Sequence, residues 1–256
     1  MRGYIFDLDG TVYLGDKMID GASEAIQALR ARGDKVVFLS NKPIATRQSY
    51  VDKLNKMGIP TSLEDVLNSS QIVAQYLQRR LKAGEKVFVI GEEPINEELA
   101  EYGIPITHES DSAEYVVLSW DRQFTYDKLN SVYQAAVKGA VVIASNPDTT
   151  CPLDGGQIPD TGTFIAALEV ATGKAIDLVV GKPSLIAAEA AVAHLGLDYK
   201  DCLMIGDRLE TDIKMANEAG MVSVLVLTGV STAEMAELTT HRPHHIVSSI
   251  KDVVDL

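Results

Sequence analysis

The chain has 256 residues, 46% of them hydrophobic and 23% charged, a composition that excludes a disordered or collagen-like protein and fits a soluble chain with its own core. Its 36 acidic and 23 basic residues leave a net charge of −13, which argues against nucleic acid or an anionic membrane as partner. Cys151 and Cys202 form neither a disulfide framework nor a metal-ligand pattern, and no apolar run approaches the ~18 residues of a membrane span. Strand-like Tyr4-Ile5-Phe6 stands where a secretory signal would need its basic and apolar regions, so the chain reads as cytoplasmic.

In chain order, Gly3-Tyr4-Ile5-Phe6 predicts a short strand. Residues 22–32 carry Ala22, Ala25, Ile26 and Leu29 on one helical face, and Gly33 stops the helix. Residues 36–39 are a continuous apolar strand of the kind buried on both faces. Helices follow at 46–57 and 70–81, then strands at 86–90 and 115–118, a helix at 126–138 and a strand at 141–144. A turn-rich stretch runs from Asn146-Pro147-Asp148 through Asp154-Gly155-Gly156 to Pro159. The last third predicts a helix at 163–172, a strand at 178–180, a helix at 184–195, a strand at 202–205, a helix at 211–219 and a strand at 222–227. This alternation predicts an α/β fold, with parallel strands and helices on both sides. Trp120, Tyr115 and Tyr126 read as core, and His241, His244 and His245 as a surface loop.

Four strands run into polar residues: Phe6 into Asp7-Leu8-Asp9-Gly10-Thr11, Leu39 into Ser40-Asn41, Val180 into Gly181-Lys182-Pro183, and Ile205 into Gly206-Asp207 with Asp212 beyond. In an open parallel sheet, ligands bind outside the carboxyl ends of the strands, so these groups converge. Asp7, Asp9 and Asp207 together would repel one another unless a cation sat among them. Oxygen ligands without Cys or His suit a hard ion, Mg²⁺ best of all. Lys182, Ser40, Asn41 and the N–H groups of the Gly10-Thr11 turn are donors suited to phosphate oxygens. Cation and cradle together mean phosphoryl chemistry, in which an aspartate can serve as nucleophile. Taken singly, Ser40-Asn41 reads as a helix cap, Asp212 as a first-turn acid and Lys182 as a solvated lysine. Their shared position at strand ends sets the group apart.

Phe-Asp-Leu-Asp-Gly-Thr, Leu-Ser-Asn at 39–41, Gly-Lys-Pro at 181–183 and Gly-Asp-x4-Asp at 206–212 resemble, in order and spacing, the four motifs of the haloacid dehalogenase superfamily. The long insertion and Ser-Asn-Pro-Asp at 145–148 resemble its NagD-like, p-nitrophenyl phosphatase branch, which has a large α/β cap. The resemblance implies a Rossmann-like core at 1–80 and 178–256, with a cap at 81–177. It implies that Asp7 is the nucleophile and Asp9 the general acid and base. Mg²⁺ is then held by the side chains of Asp7 and Asp207 and the backbone carbonyl of Asp9, with Asp212 behind. Ser40, Asn41 and the Gly10-Thr11 turn would hold phosphate oxygens, and Lys182 would bridge nucleophile and phosphate. Residues near Asn146–Asp148 and Asp160–Thr163, in the turn-rich segment of the insertion, are the candidates for the cap's contribution to specificity, Asn146 and Asp148 first among them.

The expected activity is hydrolysis of a small phosphate monoester, such as a sugar phosphate or nucleoside monophosphate. Dehalogenases proper expel halide, which needs no proton, and lack the second aspartate. Asp9 therefore favours phosphate transfer to water. A phosphotransferase or mutase on the same fold is the first rival. A phospho-aspartate switch is the second, although receiver domains are about half this length and carry their acceptor on a middle strand.

Overall fold

Strands of two to six residues assemble into two parallel sheets in the computed structural model, which describes residues 1–153 and 156–256. The predicted turn at Asp154-Gly155 lies outside the described residues. The chain divides into two compact units, one of Met1–Ser40, Arg47–Leu67 and Lys182–Leu256, the other of Asn41–Thr46 and Asn68–Gly181.

The six-stranded sheet runs His245–Val247, Val222–Val226, Cys202–Gly206, Gly3–Phe6, Lys35–Ser40 and Val66–Asn68. Gly3–Phe6 pairs in parallel with Cys202–Gly206 on one side and Lys35–Ser40 on the other. The first strand of the chain is therefore central, and strand order reverses at it. That makes a topological switch point, where the loops after neighbouring strands part and leave a crevice. Tyr4, Ile5 and Phe6 are buried, as are Val37, Phe38 and Leu39 beside them. Each such side chain contributes roughly 1.5–3 kcal/mol by leaving water. The helix Ala22–Ala31 buries the predicted face of Ala22, Ala25, Ile26 and Leu29. The helix Leu185–Leu195 begins where the Ser184 side chain accepts from Ile186 N–H, and it ends at left-handed Gly196.

The second unit has its own five-stranded parallel sheet, in the order Leu178–Val179, Val141–Ala144, Tyr115–Leu118, Val87–Ile90, Ile106–Thr107. Val116, Leu118, Trp120, Val132, Phe164 and Leu168 belong to its core, and the Phe124 and Phe164 rings stack 4.1 Å apart. Trp120 is buried and donates its indole N–H to the carbonyl of Pro159 at 3.0 Å. The helix Ser69–Arg80, read from the sequence as part of the core, groups with this unit and packs on Glu93–Glu101.

Several elements differ from expectation. The turn-rich stretch contains an antiparallel hairpin of Thr150–Leu153 and Gly156–Pro159. Tyr126 is exposed rather than core, because it opens the solvent side of the helix Tyr126–Val137. The histidine segment is not simply loop: His245–Val247 is the sheet's edge strand, and His244 Nδ1 lies 2.7 Å from Ser223 Oγ. The helix predicted over 211–219 is regular only from Lys214, after a widened turn over Leu209–Ile213. Among the described residues, no helix is long and apolar enough to cross a membrane.

Candidate active site

The first unit gathers its polar groups just beyond the strand ends. Asp7 continues the central strand, its N–H donating to Ile205 O at 2.8 Å. The chain then folds tightly: the N–H groups of Thr11, Val12 and Tyr13 all reach Leu8 O, and Gly10 N–H reaches Tyr13 O at 2.7 Å. This corrects one expectation. The N–H groups of Gly10 and Thr11 hold the turn closed and do not present a phosphate cradle. Gly10 has φ +87°, and a Cβ there would lie 2.5 Å from Asp207 Oδ2. Its role is to admit that carboxylate. Thr11 is fully buried, with its Oγ1 unpartnered.

Lys182 sits at the centre. Its Nζ donates to Asp7 Oδ1 at 2.5 Å and to Asp212 Oδ1 at 2.6 Å, and its side chain is only 2% exposed. Burial works to strip its proton, but Asp212 and then Asp7 more than offset that and raise its pKa above the ordinary lysine value. Asp7 is held well above the usual carboxylate range, first by burial; Lys182 opposes this, and Asp212 and Asp207 add to it. Asp207 is pushed up to about 6, mainly by burial and then by Asp212.

Asp212 reaches the lysine because of the widened turn. Ile213 N–H bonds Arg208 O five residues back, at 3.2 Å, alongside the four-residue bond from Asp212 N–H at 3.1 Å. Its other oxygen, Oδ2, accepts from Arg208 N–H at 3.1 Å. Gly206 makes room, since a Cβ there would lie 2.3 Å from the Asp212 carboxyl. Asp207 Oδ2 accepts from Val230 N–H at 2.7 Å, while its Oδ1 is buried without a partner. Gly229 closes over it so tightly that a Cβ would fall 2.0 Å from Oδ2. Oxygens of Asp7, Asp207 and Asp212 lie within 4.8 Å of one another.

This donor set fits a hard divalent cation. It is all oxygen, it holds more negative charge than Lys182 balances, and it keeps one buried oxygen in reserve. Both Asp212 oxygens already accept hydrogen bonds, whereas Asp207 keeps one oxygen without a partner, so Asp207 with Asp7 could hold such an ion. Asp9 follows in the same turn, bridged to Tyr13, and Ser40 ends the neighbouring strand, nearly buried.

Asn41, Asn146 and Asp148 belong to the second unit. Asn41 Nδ2 donates to Asp148 Oδ2 at 2.8 Å. Asn146 is buried and its amide is saturated: Nδ2 donates to Asp148 and Asp160, and Oδ1 accepts from Ser145 and Thr161 hydroxyls. It has no group left for a substrate, so the expectation of a specificity contact is corrected: Asn146 anchors a buried network. Sequence reasoning did not find Gly229 or Ser231, whose Oγ accepts from Leu209 N–H at 3.2 Å, and it named Gly206 only as part of a motif, without its role of making room for Asp212. The available signal was a glycine directly beyond a strand end, in Leu227-Thr228-Gly229.

Family models agree with this arrangement. A haloacid dehalogenase-like hydrolase model matches residues 4–105, and a HAD-hydrolase-like model matches residues 179–253. The chain is 41% identical to the sugar-phosphatase AraL of Bacillus subtilis (strain 168), over 99% of this chain and 92% of that protein. The chain belongs to the haloacid dehalogenase-like hydrolases. Among solved structures of that family, a p-nitrophenyl phosphatase from Archaeoglobus fulgidus superposes with a TM-score of 0.94 at 35% identity, covering 99% of this chain and 98% of that one. NagD from E. coli K-12 superposes with a TM-score of 0.90 at 28% identity, covering 98% of each. Within the haloacid dehalogenase-like hydrolases, this chain sits in the NagD-like branch and is a hydrolase of phosphoric monoesters.

Proposed function

We propose that the protein is a Mg²⁺-dependent phosphatase that hydrolyses a small phosphate monoester through an aspartyl-phosphate on Asp7. A sugar phosphate is the first candidate substrate, since a relative at 41% identity is a sugar-phosphatase. The observation that carries the reading is the buried Asp7–Lys182–Asp212 bridge, with Asp207 beside it.

The steps follow from the residues. Lys182 keeps Asp7 oriented by a charge-assisted hydrogen bond and favours its ionised form against the cost of burial. An Asp7 oxygen forms a bond to phosphorus as the ester P–O bond breaks, and Asp9 gives its proton to the leaving oxygen. Asp9, now ionised, takes a proton from water as that water attacks phosphorus. The Asp7–phosphorus bond breaks, releasing inorganic phosphate and restoring both carboxyls. Ser40, Asn41 and Lys182 hold the phosphoryl oxygens throughout. Asp7, Asp207 and the Asp9 carbonyl would hold Mg²⁺, which supplies positive charge to balance the phosphoryl oxygens. The second unit acts as the cap and chooses the leaving group.

The test is phosphate release from p-nitrophenyl phosphate with Mg²⁺, with EDTA, and with Asp7→Asn. Turnover that needs the metal and disappears in the variant is expected. Turnover that survives in a folded Asp7→Asn protein would refute the nucleophile, and turnover unaffected by EDTA would refute the metal.

A further inference from the structure

We propose that Asp148 is a positioning residue for Asn41 and does not select the leaving group; this rests on the reading above, in which Asn41 holds a phosphate oxygen. The geometry begins at one carboxylate oxygen. Asp148 Oδ2 accepts from Asn41 Nδ2 at 2.8 Å and from Asn146 Nδ2 at 3.1 Å. Two amides therefore converge on one oxygen of this carboxylate.

The carboxylate is itself held from behind. Asn146 is tied to Asp160 at 3.1 Å, and the Asp160 side chain caps the helix Thr161–Thr172 by accepting from Thr161 N–H. The Asp148 carbonyl accepts from Gly162 N–H at 2.8 Å. That approach needs glycine, because a Cβ at 162 would fall 2.4 Å from Pro147 O. Asp148 is thus pinned by backbone and side chain to the start of a helix.

Asn41 is gripped on its other sides too. Its carbonyl accepts from Ser69 Oγ at 2.9 Å. Its Oδ1 lies against Gly181, where a Cβ would come within 2.7 Å. An amide whose nitrogen is committed to a fixed carboxylate cannot rotate half a turn without setting its oxygen against that charge. Asp148 therefore sets which end of the Asn41 amide points where, and does so before any ligand arrives. Gly181 N–H also bonds Ser145 O at 3.0 Å, and Ser145 Oγ bonds Asn146, so the same network holds the Gly181 backbone against which Asn41 Oδ1 lies.

A positioning role and a selecting role make different demands on kinetics. The experiment compares wild type, Asp148→Ala, Asp148→Asn, Asn41→Ala and the Asn41→Ala/Asp148→Ala double variant. Each is measured on p-nitrophenyl phosphate, a sugar phosphate and a nucleoside monophosphate, with inorganic phosphate as competitive inhibitor. Asp148→Ala is expected to lower kcat/KM by a similar factor on every ester, about tenfold or more for the loss of one charge-assisted hydrogen bond. Inhibition by inorganic phosphate, which has no leaving group, should weaken in parallel. Asp148→Asn keeps an oxygen able to accept both amides, so it should recover most of the loss. The double variant should be no worse than Asn41→Ala alone. A changed ranking among the esters, additive losses, or phosphate inhibition untouched by Asp148→Ala would each overturn the positioning role. A wild-type protein inactive on all three esters would instead overturn the phosphatase reading, and this proposal with it.

Discussion

Replacing Lys182 with methionine should cost the first unit much of its stability, and the cost should depend on pH. Lys182 is bonded to Asp7 at 2.5 Å and to Asp212 at 2.6 Å, with side-chain exposures of 2% for the lysine, 13% for Asp7 and 0% for Asp212. No water can replace the ammonium at Asp212, so the variant leaves a buried charge uncompensated. Breaking a buried pair in this way costs about 3–5 kcal/mol. For a chain of this size, that corresponds to a drop of roughly 10 °C in melting temperature. The pH dependence follows from Asp7, already raised by burial and raised further without its lysine. A carboxyl raised in the folded state contributes stability that is present below its unfolded pKa and lost as pH rises through the folded value. The cost of Lys182→Met should therefore grow from pH 5 to pH 8. Scanning calorimetry in EDTA at several pH values measures it. A cost no larger than that of an exposed ion pair, about 1 kcal/mol, or one equal at pH 5 and pH 8, would refute the claim that Lys182 neutralises this cluster.

Other consequences are equally direct. In Gly229→Ala the new methyl falls 2.0 Å from Asp207 Oδ2, so Asp207 must move; turnover should drop about a hundredfold and Mg²⁺ should no longer raise the melting temperature, as thermal-shift assays would record. An unchanged thermal response would remove Asp207 from the ligand set. Mg²⁺ affinity should rise between pH 5 and pH 8, because a cation must displace the proton that burial and Asp212 favour on Asp207, and the one that burial favours on Asp7. Titration calorimetry between pH 5 and pH 8 tests this, and a flat profile would contradict it. Gly162→Ala should destabilise the second unit by about 1–3 kcal/mol in urea, since its methyl meets Pro147 O at 2.4 Å.

The chemistry was legible because it lies at strand ends, and strands of continuous apolar residues announce themselves. Phe6, Leu39 and Ile205 each end such a run, and the first polar residue beyond each, Asp7, Ser40 and Asp207, is a candidate site residue. What escaped depends on three-dimensional closeness without a local pattern. The N–H groups of Gly10 and Thr11 looked available, yet the turn bends back far enough for Leu8 and Tyr13 carbonyls to take them. Asn146 looked like a polar loop residue, and only the fold shows four partners closing around its amide. Gly229 and Gly206 carry no side chain to attract notice; what they supply is the missing Cβ beside Asp207 and Asp212. Short elements such as Ala233–Leu238 offer too few turns for a periodicity to register.

Charge balance ties these features into one argument. Three buried carboxylates and one ammonium leave two negative charges in excess, and each like-charged pair at about 4 Å costs on the order of 4 kcal/mol near a protein surface. A phosphate ester would add further negative charge to the same place. One divalent cation would bring the four side chains to neutrality. A proton on Asp207 does part of the same work, and its pKa of about 6 reflects that. Cation and proton would thus compete for the carboxylate oxygen of this cluster that is buried without a partner, Asp207 Oδ1. The lysine cannot take the cation's place, because its hydrogen bonds are aimed at Asp7 and Asp212 and not at Asp207. The two glycines that crowd Asp207 also keep it from turning away, so the carboxylate that most needs a partner is the one held most firmly in place to receive it.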